Sequence, residues 1–177
     1  MPRLVILALM GILLRTPGLA AATVELPLRP PVTTVAFRAY GLGLFPLDGN
    51  FTRFEGTLTY DPQDRGRCRV HLLVEVASLV MSDASLRDEL LGPEFMDARR
   101  FPALRFDGMC EGRAVNGDLT LHGVTRPFAL DLDWGANVLT AMGRLRRADW
   151  GMTARPLTGG STVRITVATA VPPVTAR

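Results

Sequence analysis

The segment Phe128-Ala129-Leu130-Asp131-Leu132-Asp133-Trp134 decides the fold class. Large apolar residues take every second position and two of the three residues between them are aspartates, so the segment separates a dry face from a wet one only with the period of two of a strand. The same alternation recurs on both sides. Upstream, Phe54, Gly56, Leu58 and Tyr60 alternate with Arg53, Glu55, Thr57 and Thr59, and Val70, Leu72, Val74 and Val76 with Arg69, His71, Leu73 and Glu75. Further runs at 34–40, 104–109, 115–121, 139–146 and 162–169 bring the expected strands to eight.

Turn residues punctuate these runs: Asp61-Pro62, Glu111-Gly112, Gly123, Gly135-Ala136-Asn137 and Gly159-Gly160. The exception is 78–102, between the third and fourth strands. There Ser82 or Asp83 can cap a short helix to about Leu91, Gly92-Pro93 stops it, and Phe95 and Phe101 supply apolar anchors. The expectation is an all-β protein, an eight-stranded antiparallel barrel of up-and-down order with one short helix covering its mouth or wall. Closure is favoured because it removes exposed sheet edges.

The chain has 177 residues, 47% hydrophobic and 21% charged, which suits one compact domain. Its 20 basic residues are all arginine and interleave with 17 acids, so the concentrated basic face of a nucleic-acid binder is missing. Residues 1–22 read as a secretory signal peptide: Arg3, an apolar run from Leu4 to Leu14, then a small-residue segment with Ala20 and Ala22 in an A-x-A arrangement. Cleavage near Ala20 to Ala22 removes Arg3 and Arg15 and no acid, leaving a nearly neutral domain over 23–177. The apolar run falls short of the ~20 residues of a membrane-spanning helix.

Catalytic and metal chemistry find little support. G-x-S-x-G, H-E-x-x-H and P-loop signatures are absent, and Gly41-Leu42-Gly43 lacks the third glycine of a dinucleotide fingerprint. His71 and Glu75 lie four apart on one strand face, about 13 Å from each other. His122 beside Gly123 reads as a solvated turn residue, Asp131 and Asp133 as an ordinary wet face, and Arg144, Arg146 and Arg147 as a salt-bridged exterior. Tyr40 with Asp149 is the one weak polar pair that an enzyme reading can name. No catalytic residue, metal or cofactor is expected.

Cys68 shares the parity of Val70, Leu72 and Val74, and Cys110 that of Leu104, Phe106 and Gly108. Antiparallel pairing that sets Cys68 opposite Cys110 also sets Leu72 opposite Phe106 and Val74 opposite Leu104. That register makes the two cysteines a disulfide candidate in an oxidising compartment, against the alternative of two buried thiols at strand ends.

Four ordered segments carry a family resemblance: Phe51-Thr52-Arg53-Phe54-Glu55-Gly56-Thr57-Leu58-Thr59-Tyr60-Asp61-Pro62; Glu94-Phe95-Met96-Asp97 with Phe101-Pro102-Ala103-Leu104-Arg105-Phe106; Gly117-Asp118-Leu119-Thr120-Leu121-His122-Gly123-Val124-Thr125-Arg126-Pro127; and Arg147-Ala148-Asp149-Trp150-Gly151-Met152. Together they resemble the YceI-like family over about residues 33 to 170. The resemblance implies an elongated, lipocalin-like barrel, exported to the bacterial periplasm or beyond, whose apolar channel takes a polyisoprenoid, a quinone-like chain or a similar long-chain amphiphile. The chain departs from the family pattern at Tyr40, where many members have His before the Gly, in the apolar loop Gly41 to Leu47, at Gly108 in place of a Ser, and in using Trp150 as the aromatic of the arginine motif.

With one face of every strand turned inward, the expected ligand-binding walls are Phe37, Phe54, Leu58, Leu72, Val74, Leu104, Phe106, Leu119, Leu130, Leu132, Leu145 and Ile165, with Gly56, Gly117 and Gly143 leaving room between them. Apolar strand faces more often pack on one another than line a cavity, and the resemblance is what favours the cavity. The expected partners are a long-chain isoprenoid or other lipid, a transient membrane or membrane-protein contact, and a second copy in a homodimer. The competing reading is a ligand-free envelope or stress protein with a filled barrel, working through its surface.

Overall fold

In the computed structural model, which describes residues 23–41, 44–154 and 160–172, the run Phe128 to Trp134 lies within one long strand, Val124–Trp134. Residues 1–22, with the signal-peptide reading, lie outside the described residues. The strands in chain order are β1 (Val24–Pro27), β2 (Thr33–Gly41), β3 (Phe45–Phe51), β4 (Phe54–Tyr60), β5 (Cys68–Glu75), β6 (Leu79–Val80), β7 (Ala103–Glu111), β8 (Ala114–Leu121), β9 (Val124–Trp134), β10 (Val138–Arg146) and β11 (Thr162–Ala170), with one helix, α1 (Ala84–Leu91), between β6 and β7. Asp83 caps the helix by accepting a hydrogen bond from the Leu86 N–H at 3.0 Å.

All eleven strands form one antiparallel sheet in the order β1-β4-β5-β7-β8-β9-β10-β11-β2-β3-β6. The eight expected strands are neighbours in up-and-down order, β4-β5-β7-β8-β9-β10-β11-β2, but among the described residues no ladder between β2 and β4 closes them, and β1, β3 and β6 bring the count to eleven. The segment that reads as an apolar loop supplies β3, which pairs along its whole length with β2, from Val35 opposite Phe51 to Gly41 opposite Phe45. That hairpin takes the edge of β2 that a sequential barrel would give to β4, and β4 pairs instead with β1. The result is a strongly curled sheet with β1 and β6 at its ends, and among the described residues no ladder joins those two.

Beside the seam between β1 and β6, hydrogen bonds carry the β3–β6 and β1–β4 pairings past the strand ends. The Thr52 N–H and Oγ1 both donate to the Ser78 carbonyl, the Ser78 hydroxyl donates to the Glu75 carbonyl at 2.6 Å, and Leu28 N–H donates to the Gly56 carbonyl at 2.8 Å. The short 3₁₀ turn Val76–Ser78 carries the chain from β5 to β6 there. Leu58, Val74, Val76, Leu79 and Val115 are almost wholly buried in one continuous core. Removing each such side chain from water contributes roughly 1.5–3 kcal/mol.

The register of β5 and β7 pairs Leu72 with Phe106 and Val74 with Leu104. Extended to the strand ends, it brings Cys68 and Cys110 face to face with Cα atoms 4.7 Å apart, and a disulfide joins them. The bond lies at the end of the sheet where Tyr60 also packs on Trp134, ring centroids 5.2 Å apart. Gly56 and Gly117 leave no room on the inner face: a Cβ on Gly56 would lie 2.3 Å from the His71 carbonyl oxygen, and one on Gly117 2.1 Å from that of Asp107. Their role is to let neighbouring strands approach closely enough to curl. Gly143 similarly accepts the ring of Phe128 and the side chain of Leu130.

Candidate functional site

The inward side chains do not fill the space that the curled sheet encloses. A cavity of about 310 Å³ remains between the sheet and α1, at the small end of the ~300–1,000 Å³ usual for sites that hold small ligands. Eight of the twelve expected wall residues line it: Phe37, Leu72, Leu104, Phe106, Leu119, Leu130, Leu145 and Ile165. Leu58 and Leu132 instead face a second void of about 40 Å³ that also touches Cys68. The two spaces share Leu72, Phe106, Leu130 and Val167 as a partition.

Phe54 and Val74 border neither space. They pair with each other across β4 and β5 beside the seam, where Val76 and Leu79 are also fully buried, so their side chains are spent on packing. The sequence reading also missed walls. Val35 and Phe128 line the cavity and share the parity of Phe37 and Leu130, which was the available signal. Leu86 and Leu90 of α1 close the space from outside the sheet, and their spacing of four puts them on one helical face.

A chain of edge-to-face aromatics supports the wall. Phe106 meets Phe128 at 6.3 Å and 89°, and Phe128 meets Trp150 at 6.1 Å and 88°; the Trp150 indole N–H donates to the Leu119 carbonyl at 3.2 Å. Trp150 ends a 3₁₀ turn, Arg147–Trp150, which Gly151 closes at φ 77° with its N–H donating to the Ala148 carbonyl. Arg147 is consequently no part of an exterior cluster. It is 7% exposed, lines the cavity, donates from Nε to the Gly160 carbonyl at 2.9 Å and from an Nη to the Met152 carbonyl at 2.8 Å, and lies 5.6 Å from the centre of the Phe95 ring. Burial pulls its guanidinium below the ordinary arginine range, though an arginine stays charged. Glu89 of α1 is the other charged residue on the described wall.

The remaining polar candidates lie elsewhere. His71 faces Asp107 across β5 and β7, Nδ1 to Oδ1 2.5 Å, and Arg105 donates to the other carboxylate oxygen at 2.7 Å, all on the exposed face. His71 and, less so, Arg105 hold the Asp107 carboxyl below the usual aspartate range. His122 is not simply solvated: half-buried at φ 52°, its Nδ1 lies 3.1 Å from the Trp150 carbonyl oxygen and its ring meets Phe101 edge-on at 4.7 Å. Tyr40 and Asp149 are both exposed. Among the described residues no group of three or more His, Cys, Asp or Glu is placed to hold a metal ion, and no helix is long and apolar enough to cross a membrane.

The profile of the YceI-like domain matches residues 27–171. A UPF0312 protein of Serratia proteamaculans (strain 568) is 31% identical over 134 residues, covering 67% of this chain and 70% of the relative. The crystal structure of BcnA of Burkholderia cenocepacia superposes with a TM-score of 0.66 at 18% identity, over 78% of this chain and 96% of that one. A polyisoprenoid binding domain from Saccharophagus degradans, implicated in plant cell wall breakdown, superposes with a TM-score of 0.56 at 13% identity, over 78% of this chain and 94% of that one. At these identities the two structures share the fold.

Proposed function

The chain belongs to the YceI-like family, and from that premise we propose that it is a lipid-binding carrier without turnover, holding part of a long-chain polyisoprenoid or similar amphiphile against the concave face of its sheet. The carrying observation is the cavity of about 310 Å³, whose described walls are apolar but for Glu89 and Arg147. An isoprenoid chain offers only apolar surface, and each methylene taken from water contributes roughly 0.8 kcal/mol before ordering costs. The cavity volume suits a segment of such a chain rather than its full length, so the remainder extends past the mouth or displaces the partition at Leu72 and Phe106. The polyisoprenoid binding of the Saccharophagus degradans domain supports this ligand class.

Export to the periplasm or the medium fits the signal-like segment 1–22 and a disulfide that needs an oxidising compartment. Solvent extraction of the purified protein with mass spectrometry of the extract tests the carrier reading. A stoichiometric isoprenoid supports it, whereas nothing released, even after polyprenols and quinones have been offered, contradicts it. A second reading, a ligand-free envelope protein acting through its surface, draws on the disulfide end of the sheet, where packing leaves only about 40 Å³. The same extraction decides between the two.

A further inference from the structure

The β2–β3 hairpin turns large apolar side chains to solvent at the end of the sheet that the cavity reaches. Leu44 is 78% exposed, Phe45 61% and Tyr40 40%, while Ala39, Gly41 and Leu47 of the same hairpin line the cavity. Such a cluster of exposed apolar side chains marks a contact surface.

Behind this tip the outer face carries a row of like charges. The register sets Arg144 of β10 opposite Arg164 of β11, and Arg164 opposite Arg38 of β2; all three are exposed. Adjacent strands lie about 4.8 Å apart, and like charges directly opposite destabilise a sheet. Asp48 of β3 continues the row and takes a two-pronged hydrogen bond from Arg38 at 2.6 and 2.9 Å. The ion pairs among the described residues include neither Arg144 nor Arg164. Asp131, the nearest acid on β9, stands opposite Met142, one pleat farther from the tip, and exposed Arg146 stands one pleat nearer to it. The row therefore holds an uncompensated positive charge that an anionic partner would relieve.

The spacing identifies the partner. Arg38 precedes Tyr40 by two residues, about 7 Å along a strand, and apolar protein segments enter the headgroup boundary of a bilayer by about 5–10 Å. With the tip at that depth the arginine row lies level with lipid phosphates. We propose that this end of the molecule docks on an anionic lipid bilayer, Leu44, Phe45 and Tyr40 entering the headgroup boundary while Arg144, Arg164 and Arg146 contact phosphates. A bilayer offers both an apolar boundary for the exposed Leu44 and Phe45 and, at the depth of the arginine row, a plane of phosphates, and it delivers a lipid to the cavity at the same end without passage through water. The purpose of docking rests on the carrier reading, but its chemistry does not.

Co-sedimentation of the purified protein with phosphatidylcholine vesicles, with and without phosphatidylglycerol, tests the proposal. Binding is expected with phosphatidylglycerol and is expected to fall as salt rises from about 0.1 to about 1 M, which shortens the screening length from about 10 to about 3 Å. The double variant Arg144→Gln/Arg164→Gln is expected to bind at least about tenfold more weakly, each basic side chain near such a surface contributing about fivefold. Leu44→Ser/Phe45→Ser is expected to lose binding as well, while Arg113→Gln, at an 86% exposed arginine between β7 and β8 beside the disulfide, is expected to bind as the parent does. Absence of binding to phosphatidylglycerol vesicles, or an equal loss on Arg113→Gln, overturns the proposal. All these positions are exposed, and an unchanged thermal midpoint verifies that each variant folds. Native mass spectrometry of the same samples separates the two readings: a lipid adduct without vesicle binding refutes docking alone, and vesicle binding without an adduct supports docking and refutes the carrier reading.

Discussion

Ala39 stands on the cavity wall between Phe37 and Gly41, with space in front of its methyl group. Enlarging it fills the cavity from the strand that already forms the wall. Ala39→Trp is expected to lose the bound lipid, with a thermal midpoint level with or above that of the delipidated parent, because new contacts replace void; retention of the lipid at full occupancy would place the ligand elsewhere. Leu58 is the contrasting case, 1% exposed and outside the main cavity. Leu58→Ala is expected to cost about 2–5 kcal/mol in urea unfolding and to leave the ligand in place. Parity told the inward side chains from the outward ones, but not which of the inward ones pack: Phe54 and Leu104 read alike in sequence and only Leu104 meets the cavity. Arg147 carries the inward parity of Leu139, Ala141 and Leu145, but an arginine just past the end of a run reads as exterior, and the 3₁₀ turn that holds it inward has no alternation of its own.

The acid response of stability also belongs to single side chains. Arg38 holds the Asp48 carboxyl, Arg53 the Glu75 carboxyl and His71 the Asp107 carboxyl below their ordinary ranges. A carboxyl with a depressed folded-state pKa contributes stability that is complete above its unfolded value and is lost as pH falls through the folded value. The unfolding free energy is therefore expected to hold from neutrality to about pH 4, the ordinary carboxylate range, and to fall below it. The pairs are exposed, so the drop is small and shrinks in high salt. A loss of stability already complete by pH 5 would point to other groups.

At the scale of elements, the alternating runs that read as strands correspond to β2, β4, β5 and β7 to β11, and the wet and dry faces differ most cleanly in β7 and β9. β3 was hidden by Gly41, Gly43 and Pro46, residues that read as loop, and its identity as a strand comes from pairing with β2, a long-range fact. β1 and β6 are four and two residues long, too short for periodicity to register. The curl depends on close strand contact at Gly117, where a methyl group would lie 2.1 Å from a β7 carbonyl oxygen and 2.5 Å from the Gly108 Cα. Gly117→Ala is expected to force β7 and β8 apart and to lower stability by about 1–3 kcal/mol in denaturant unfolding. An unchanged midpoint would mean that the sheet relaxes there at no cost.

Across the whole molecule the two ends of the curled sheet do different work. One end is closed by the Cys68–Cys110 disulfide and packed down to about 40 Å³ of void; the other holds the cavity, α1 and the apolar hairpin tip. Replacing both cysteines with alanine opens a sequence separation of 42 residues and is expected to cost about 2–4 kcal/mol without altering lipid occupancy. The sheet class and most of the inner face were legible in alternation, whereas the cavity was not, because strand faces that pack and strand faces that line a void carry the same residues. Native mass spectrometry of the protein purified gently from its host's envelope, with the released molecule identified after denaturation, is the most direct test of lipid carriage. A one-to-one adduct of a polyprenyl or similar chain, absent from Ala39→Trp, is expected; a bare mass for the parent protein, repeated after exposure to polyprenols and quinones, would contradict it.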